Sequence, residues 1–235
     1  MRVIVPEIVG TQLLRYGIIE PPVSRLLVER LAPGMVVFDV GAQYGYHSLV
    51  AAELVGASGT VVAFEPGRDA LRLLSRNAEH APNLAVENVA VGDRSGTIEL
   101  QDFGARSSSL NTIRSTARIP ANERRQLRGV RYPVGVTTID DYVAGTGLTP
   151  DVVKIDVEGA ELAVVRGMAG TLRRAAPIVT LETGDYAGMD SPRTAESIDH
   201  LDRLGYECLE SSGGSLRPHT RRRTYSYDNL FFVKR

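Results

Sequence analysis

The chain has 235 residues, 43% of them hydrophobic and 23% charged, with a formal net charge of −1. That balance suits one large globular domain or two small ones, and it supplies no general pull toward nucleic acid or an anionic membrane. A single cysteine, Cys208, excludes an internal disulfide framework and cannot build a metal centre by itself. Apolar runs too short to span a bilayer and an N-terminus without a signal-like apolar core lead to the expectation of a cytoplasmic protein.

In chain order, Val9 to Tyr16 and Val23 to Leu31 are apolar-periodic segments separated by Glu20-Pro21-Pro22, and Pro33-Gly34 closes the second. Residues 1–34 therefore read as an N-terminal helical extension of the same domain, packed on a sheet edge or over a ligand mouth, with the main domain over 35–235. Met35 to Ser48 follows: an apolar run (Val36, Val37, Phe38, Val40) broken by Asp39, then Gly41 and Gly45, then helical spacing from Tyr46. This is a buried strand, a glycine turn and a helix start, the βα half of a nucleotide site.

Two glycines do not make the G-x-G-x-x-G of a dinucleotide fold, and Asp39 would repel a pyrophosphate. An acid there suits a ligand with positive charge, as the ammonium and sulfonium of S-adenosylmethionine provide. Thr60 to Glu65 is a β-branched strand ending in a carboxylate placed to accept both ribose hydroxyls, with Pro66 after it. Gly67 to His80 reads as the next helix, and Asn83 to Gly92 as the third strand with its exit, where Asn88 to Ala90 would pass the adenine. Thr97 to Leu100 alternates as a short strand.

Residues 101–134 show no clear periodicity; they carry Arg106-Ser107-Ser108-Ser109-Leu110 and then Arg114, Arg118, Arg124, Arg125, Arg128 and Arg131. A segment of this kind reads as flexible surface or as a loop closing over a substrate. Asp151 to Glu158 is the next buried strand, with a helix from Ala160 to Met168, and Pro177 to Glu182 is the fifth strand. Ser191-Pro192 opens a helix ended by Gly205, and Tyr206 to Leu209 with Leu230 to Val233 form an antiparallel pair at the sheet edge. No internal repeat or linker divides the chain.

Carboxylates at strand ends are the candidate chemistry: Asp39, Glu65, Asp156 with Glu158, and Glu182. Alternation along a strand would turn Asp156 and Glu158 to the same side, where one could take the proton of an acceptor hydroxyl. Glu158 could equally cap the following helix. His47, in the first turn after the glycine loop, is a further candidate base or a packing residue. Lys154, inside an apolar strand, calls for a carboxylate partner. The acids at 156, 158 and 182 are not a recognised ligand set, so no metal is expected.

Together, Val-Phe-Asp-Val-Gly-Ala-Gln-Tyr-Gly-Tyr (37–46), Ala-Phe-Glu-Pro (63–66), Asn-Val-Ala-Val-Gly-Asp (88–93), Ser-Ser-Leu (108–110), Thr-Thr-Ile-Asp-Asp-Tyr (137–142) and Val-Lys-Ile-Asp-Val-Glu-Gly-Ala-Glu (153–161) resemble the FkbM-type S-adenosylmethionine-dependent methyltransferases. The resemblance covers about residues 20–183, and Asn229 to Phe232 resembles the family's closing strand. It implies an α/β, Rossmann-like class I methyltransferase with a seven-stranded, mostly parallel sheet, helices on both faces and the last strand antiparallel. Carried over by position, Asp39, Gly41, Ala42, Gln43, Tyr44, Gly45 and Ser48 would line the methionine part of the cofactor. Glu65 and Pro66 would hold the ribose, and Asn88, Val89 and Ala90 the adenine, while Asp156 and Glu158 would face the acceptor. The implied reaction is O-methylation of a small-molecule hydroxyl, on a natural product or a sugar. An N-methyltransferase and a cofactor-binding but inactive scaffold are the alternatives. Neither nucleic acid nor membrane is expected as a partner, and a homodimer is compatible with the sequence.

Overall fold

The computed structural model describes residues 1–104, 129–184, 193–226 and 228–235. The serines at 107–109, Arg106, Leu110, the arginines at 114, 118, 124, 125 and 128, and Ser191-Pro192 lie outside them.

Eight strands form the main sheet: β1 (Val36–Val40), β2 (Thr60–Phe64), β3 (Leu84–Glu87), β7 (Val152–Ile155), β8 (Ile178–Thr183), β9 (Tyr206–Ser212), β10 (Ser215–Pro218) and β11 (Asp228–Lys234). Their order is β10-β9-β11-β8-β7-β1-β2-β3. The five strands from β3 to β8 run parallel, and β11, β9 and β10 join antiparallel. Eight strands rather than the expected seven result from a hairpin at Gly213-Gly214, both at positive φ, which folds β10 back on β9 and makes β10 the edge. The expected pairing of the last strands is present, with β11 inserted between β8 and β9.

A second, three-stranded sheet is built from β4 (Ala90–Val91), β6 (Val130–Thr137) and β5 (Gly96–Asp102). The third-strand run thus breaks after Glu87, and Ala90 turns away from the main sheet to pack with Leu100 and Tyr132. Residues 130–134, read as irregular, are instead half of a long antiparallel pairing with β5.

Helices cover both faces, as alternation along the central strands requires. Phe38, Val40, Val62, Phe64, Val153, Ile155, Val179 and Leu181 pack on one face. They meet α5 (Ile139–Thr146), α6 (Glu161–Gly167), α7 (Ala169–Arg174) and α8 (Arg193–Arg203) through Ile139, Val164, Val165, Leu172, Ile198 and Leu201. Val37, Val61, Ala63 and Val152 pack on the other, against Leu27 of α2 (Pro21–Arg30), Ala51, Ala52 and Val55 of α3 (Tyr46–Val55) and Leu74 of α4 (Arg68–Ala78). The first helix, α1 (Ile8–Tyr16), is capped by Glu7, whose carboxylate accepts from the Val9 and Gly10 N–H groups. The N-terminal segment both packs on a sheet face, through α2, and reaches the glycine loop: Gln43 Nε2 lies 3.5 Å from Glu7 Oε1, and Asn77 of α4 bonds the main chain of both Arg2 and Tyr44.

The parallel strands end in line. Gly41 and Ala42 N–H groups donate to Phe64 O, Glu65 N–H donates to Glu87 O, and Asp156 N–H donates to Val40 O. Gly41, at φ +82°, has room for no side chain: a Cβ there would sit 1.7 Å from the Asp156 carbonyl oxygen. The glycine is therefore dictated by the strand exit of β7 crossing directly over the turn.

Candidate functional site

The carboxyl ends of β1, β2, β3, β7 and β8 gather Asp39, Glu65, Asn88, Asp156 and Glu182 along one edge of the sheet, where ligands of open α/β folds bind. At its centre is Lys154, 4% exposed, on the middle strand. Its Nζ lies 3.1 Å from Asp156 Oδ2 and 3.5 Å from Asp39 Oδ1. Burial opposes the ammonium, but Asp156, Asp39 and Glu20 outweigh it and hold the lysine above its ordinary pKa. Asp39 is itself 2% exposed; its Oδ2 accepts from Ser48 Oγ at 2.6 Å, and its Oδ1 has no hydrogen-bond donor. Asp39 and Ser48 thus fasten β1 to the first turn of α3, and one acidic oxygen is left facing the ammonium alone.

The glycine loop owes its shape to three left-handed residues, Gly41, Gln43 and Gly45. A Cβ at Gly45 would meet Leu74 at 2.5 Å, which is why α4 can approach. Ala42 and Tyr44 are buried beneath the loop. Gln43 N–H donates to Glu65 Oε2 at 2.9 Å, and Gly67 N–H donates to Glu65 Oε1 at 2.7 Å. Burial raises the Glu65 carboxyl to about 7, the two N–H bonds opposing the rise. Pro66 is half-buried beside it. Asn88 is exposed and Val89 half-buried just past β3, next to Glu65. Tyr142 braces that corner, with its hydroxyl bonded to Glu87 and its ring edge-on to Phe38 and Phe64.

Two expectations change. Strand β7 stops at Ile155, so alternation does not carry Glu158 beside Asp156; Glu158 sits in a turn at φ +55°. The helix-entry role also goes elsewhere: Glu161 Oε1 accepts from Gly159 N–H at 2.8 Å and from Val157 N–H at 3.3 Å. His47 is 7% exposed, between the Tyr46 ring, Ser24 Oγ and Glu20, and burial, then Lys154, lower its pKa to about 3. It is neutral at neutral pH and a weak proton acceptor.

Glu182, by contrast, is 5% exposed, and burial together with Asp156, Glu158, Glu161 and Glu20 pushes its carboxyl well above the ordinary range. The residue that reading of the sequence missed is Glu20, at the start of α2. One oxygen each from Glu20, Asp156 and Glu182 lie within 4.8 Å of one another. Three carboxylates at this spacing have the donor chemistry of a divalent-cation site, one that sequence positions 156, 158 and 182 do not form.

The geometry fits S-adenosylmethionine. The strand-end carboxylates and the short glycine turn suit a cationic, phosphate-free ligand, and the Glu65 carboxylate sits at the end of β2 beside the glycine loop. Lys154 is the interaction whose loss would show first. Lys154→Met should cost about 3–5 kcal/mol in urea unfolding, because it removes one partner of a buried ion pair and leaves Asp39 without it. The double change Lys154→Met with Asp39→Asn should recover part of it; a loss under about 1 kcal/mol for Lys154→Met would contradict the buried ion chain.

Comparison with known proteins agrees with this geometry. The sequence profile of the methyltransferase FkbM domain matches residues 39–208. Hexuronic acid methyltransferase AglP of Haloferax volcanii is 32% identical over 157 residues, covering 66% of this chain and 58% of that protein. The 31-O-demethyl-FK506 methyltransferase FkbM of Streptomyces tacrolimicus is 30% identical over 159 residues, covering 59% of this chain and 61% of that protein. The chain thus spans about three-fifths of the length of these curated relatives. Among solved structures, methyltransferase FkbM from Methylobacillus flagellatus superposes with a TM-score of 0.53 at 17% identity, over 93% of this chain and 49% of that one. A SAM-dependent O-methyltransferase from Thermotoga maritima gives 0.50 at 14% identity, over 95% and 69%; both likenesses speak to the fold. With the family profile covering well over half of it, and S-adenosylmethionine as that family's methyl donor, the chain belongs to the FkbM methyltransferases.

Proposed function

We propose that the protein is an S-adenosylmethionine-dependent O-methyltransferase acting on a hydroxyl of a small molecule, a natural product or a sugar. The observation that carries the reading is Glu182, a buried carboxyl raised well above its usual range and set beside Asp156 at the ends of adjacent parallel strands. In-line transfer to oxygen needs the acceptor oriented and its proton removed. Asp156, tied to Lys154, is a fixed anchor for the hydroxyl, and Glu182, its carboxyl raised by burial, is the base that receives its proton. Asp39, Ser48 and the 41–45 loop would hold the methionine part of the cofactor, Glu65 its ribose, and Asn88 and Val89 would border the adenine. The bound cofactor supplies an electrophilic methyl group. The relative named for 31-O-demethyl-FK506 supports a hydroxyl oxygen as the acceptor.

The same acidic surroundings would attract a protonated amine, which makes N-methylation the second reading. A methyl-transfer assay with labelled cofactor against matched alcohol and amine acceptors separates the two. Transfer to the alcohol supports the first reading, and transfer to the amine alone overturns it. Glu182→Gln should lower kcat by roughly 10²–10⁴-fold, with cofactor affinity little changed. An equal loss of cofactor affinity would remove Glu182 from the acceptor side. We further propose that turnover needs no metal, so that EDTA leaves it unchanged; loss with EDTA restored by magnesium would overturn this.

Cofactor affinity should follow the Glu65 carboxyl. Its raised pKa of about 7 means that ionisation is disfavoured in the folded apoprotein, whose stability therefore falls as pH rises from 4.5 toward 7. A ligand donating two ribose hydroxyls prefers the ionised form. Calorimetric affinity for S-adenosylmethionine should therefore strengthen by about tenfold from pH 6 to pH 8. Glu65→Gln should bind more weakly and lose that slope. A slope surviving in Glu65→Gln would take the ribose away from this residue.

A further inference from the structure

Glu20 lies in the segment ahead of the family match, outside every motif of the sequence, yet the fold commits it to the strand-end carboxylates. Its backbone is left-handed at φ 42°, a conformation unfavourable for a residue with a Cβ. Pro21 and Pro22 start α2 immediately after it and keep it from joining the helix. The side chain is 9% exposed. Asn229 Nδ2 donates to Glu20 Oε1 at 2.7 Å, and Asn229 is the register partner of Glu182 on the neighbouring strand. The other oxygen, Oε2, lies 3.7 Å from Nδ1 of the neutral His47. An amide on β11 thus clamps the carboxylate of the residue preceding α2 beside those that follow β7 and end β8.

The charge balance at this point is one-sided. Glu20, Asp156 and Glu182 face one another, while the ammonium of Lys154 is already shared between Asp156 and Asp39. Among the described residues none donates a hydrogen bond to the Glu182 carboxylate, although it is 5% exposed. Carboxylates only accept hydrogen bonds when ionised. A group completing this cluster must bring donors, and a further negative charge would add to carboxyls whose ionisation burial and their acidic neighbours already oppose.

We propose that Glu20 is a substrate-contacting residue of the acceptor site, which with Asp156 and Glu182 selects an uncharged, hydroxyl-bearing acceptor over an anionic one. The inference rests on the methyltransferase reading and extends it to a residue the family match does not include. Glu20 accepts a hydrogen bond from the acceptor's hydroxyl face, and Glu182 receives the proton as the O–H bond breaks, the methyl group moves from sulfur to oxygen and neutral S-adenosylhomocysteine leaves. An acceptor carboxylate beside that hydroxyl is turned away by repulsion. This departs from the relative named for a hexuronic acid.

The test is ligand-observed NMR on protein saturated with S-adenosylhomocysteine, using a methyl glucopyranoside and the corresponding methyl glucuronoside, with cofactor affinity measured on the same samples. The neutral glycoside should bind the unaltered protein at least tenfold more tightly than the uronate. Glu20→Gln should weaken the neutral glycoside about tenfold, narrow the discrimination, and leave S-adenosylhomocysteine affinity within threefold. Asn229→Ala, which keeps the Glu20 charge but releases its clamp, should also weaken the glycoside, with the thermal melting of both variants checked first. The proposal is overturned if the uronate binds as well as the neutral sugar, if neither binds cofactor-loaded protein, or if Glu20→Gln leaves glycoside affinity unchanged. It is also overturned if magnesium binds the unaltered protein calorimetrically and not Glu20→Gln, for the cluster is then a cation site. Failure to bind S-adenosylhomocysteine at all would overturn the methyltransferase reading and this one with it.

Discussion

The buried ammonium of Lys154, held between Asp39 and Asp156, is the interaction on which the site depends. An isolated ammonium at this depth would lose its charge, and isolated carboxylates would take up protons. Paired across two neighbouring strands, the three groups fix the ends of β1 and β7 relative to each other. The glycine loop then has one course available, with Gly41 passing under the Asp156 carbonyl, and the start of α3 is tied down through Ser48 to the same Asp39. The glycine loop, the start of α3 and the end of β7 are thereby joined through a single cation.

That arrangement divides the acids by environment rather than by sequence. Asp39 and Asp156 share the single ammonium of Lys154. Glu65 is taken up by the N–H groups of Gln43 and Gly67, and its burial leaves it poised near neutrality. Glu182 is raised by burial and then by neighbouring acids, and Glu20 by burial and Asp156 against the opposing pull of Lys154 and the Asn229 amide. One chemical group in three surroundings can serve as scaffold, as hydroxyl acceptor and as base.

Much of this was legible in the sequence because strand ends mark themselves. Asp39, Glu65, Asp156 and Glu182 each interrupt or end an apolar run, and in a parallel sheet such ends fall on one edge. Lys154 announced its need for a carboxylate by standing alone in an apolar strand. Glu158 was misplaced because period-two reasoning holds only while the strand lasts, and β7 stops three residues earlier. The β5–β6 pairing was hidden by Pro133 and Gly135, which blur alternation between Val130 and Thr137, and by the long separation of the two strands in the chain. Glu20 could not be placed from sequence at all. Its position follows from how α2 docks on Val37 and Phe231 and from Asn229, more than two hundred residues away.

A crystal structure with S-adenosylhomocysteine bound tests the central claim most directly. The account predicts the sulfur at the carboxyl ends of β1 and β7, both ribose hydroxyls on Glu65, and Glu20, Asp156 and Glu182 facing the open side of the sulfur. A nucleoside bound away from Glu65, or a sulfur separated from the three acids by the sheet, would contradict it.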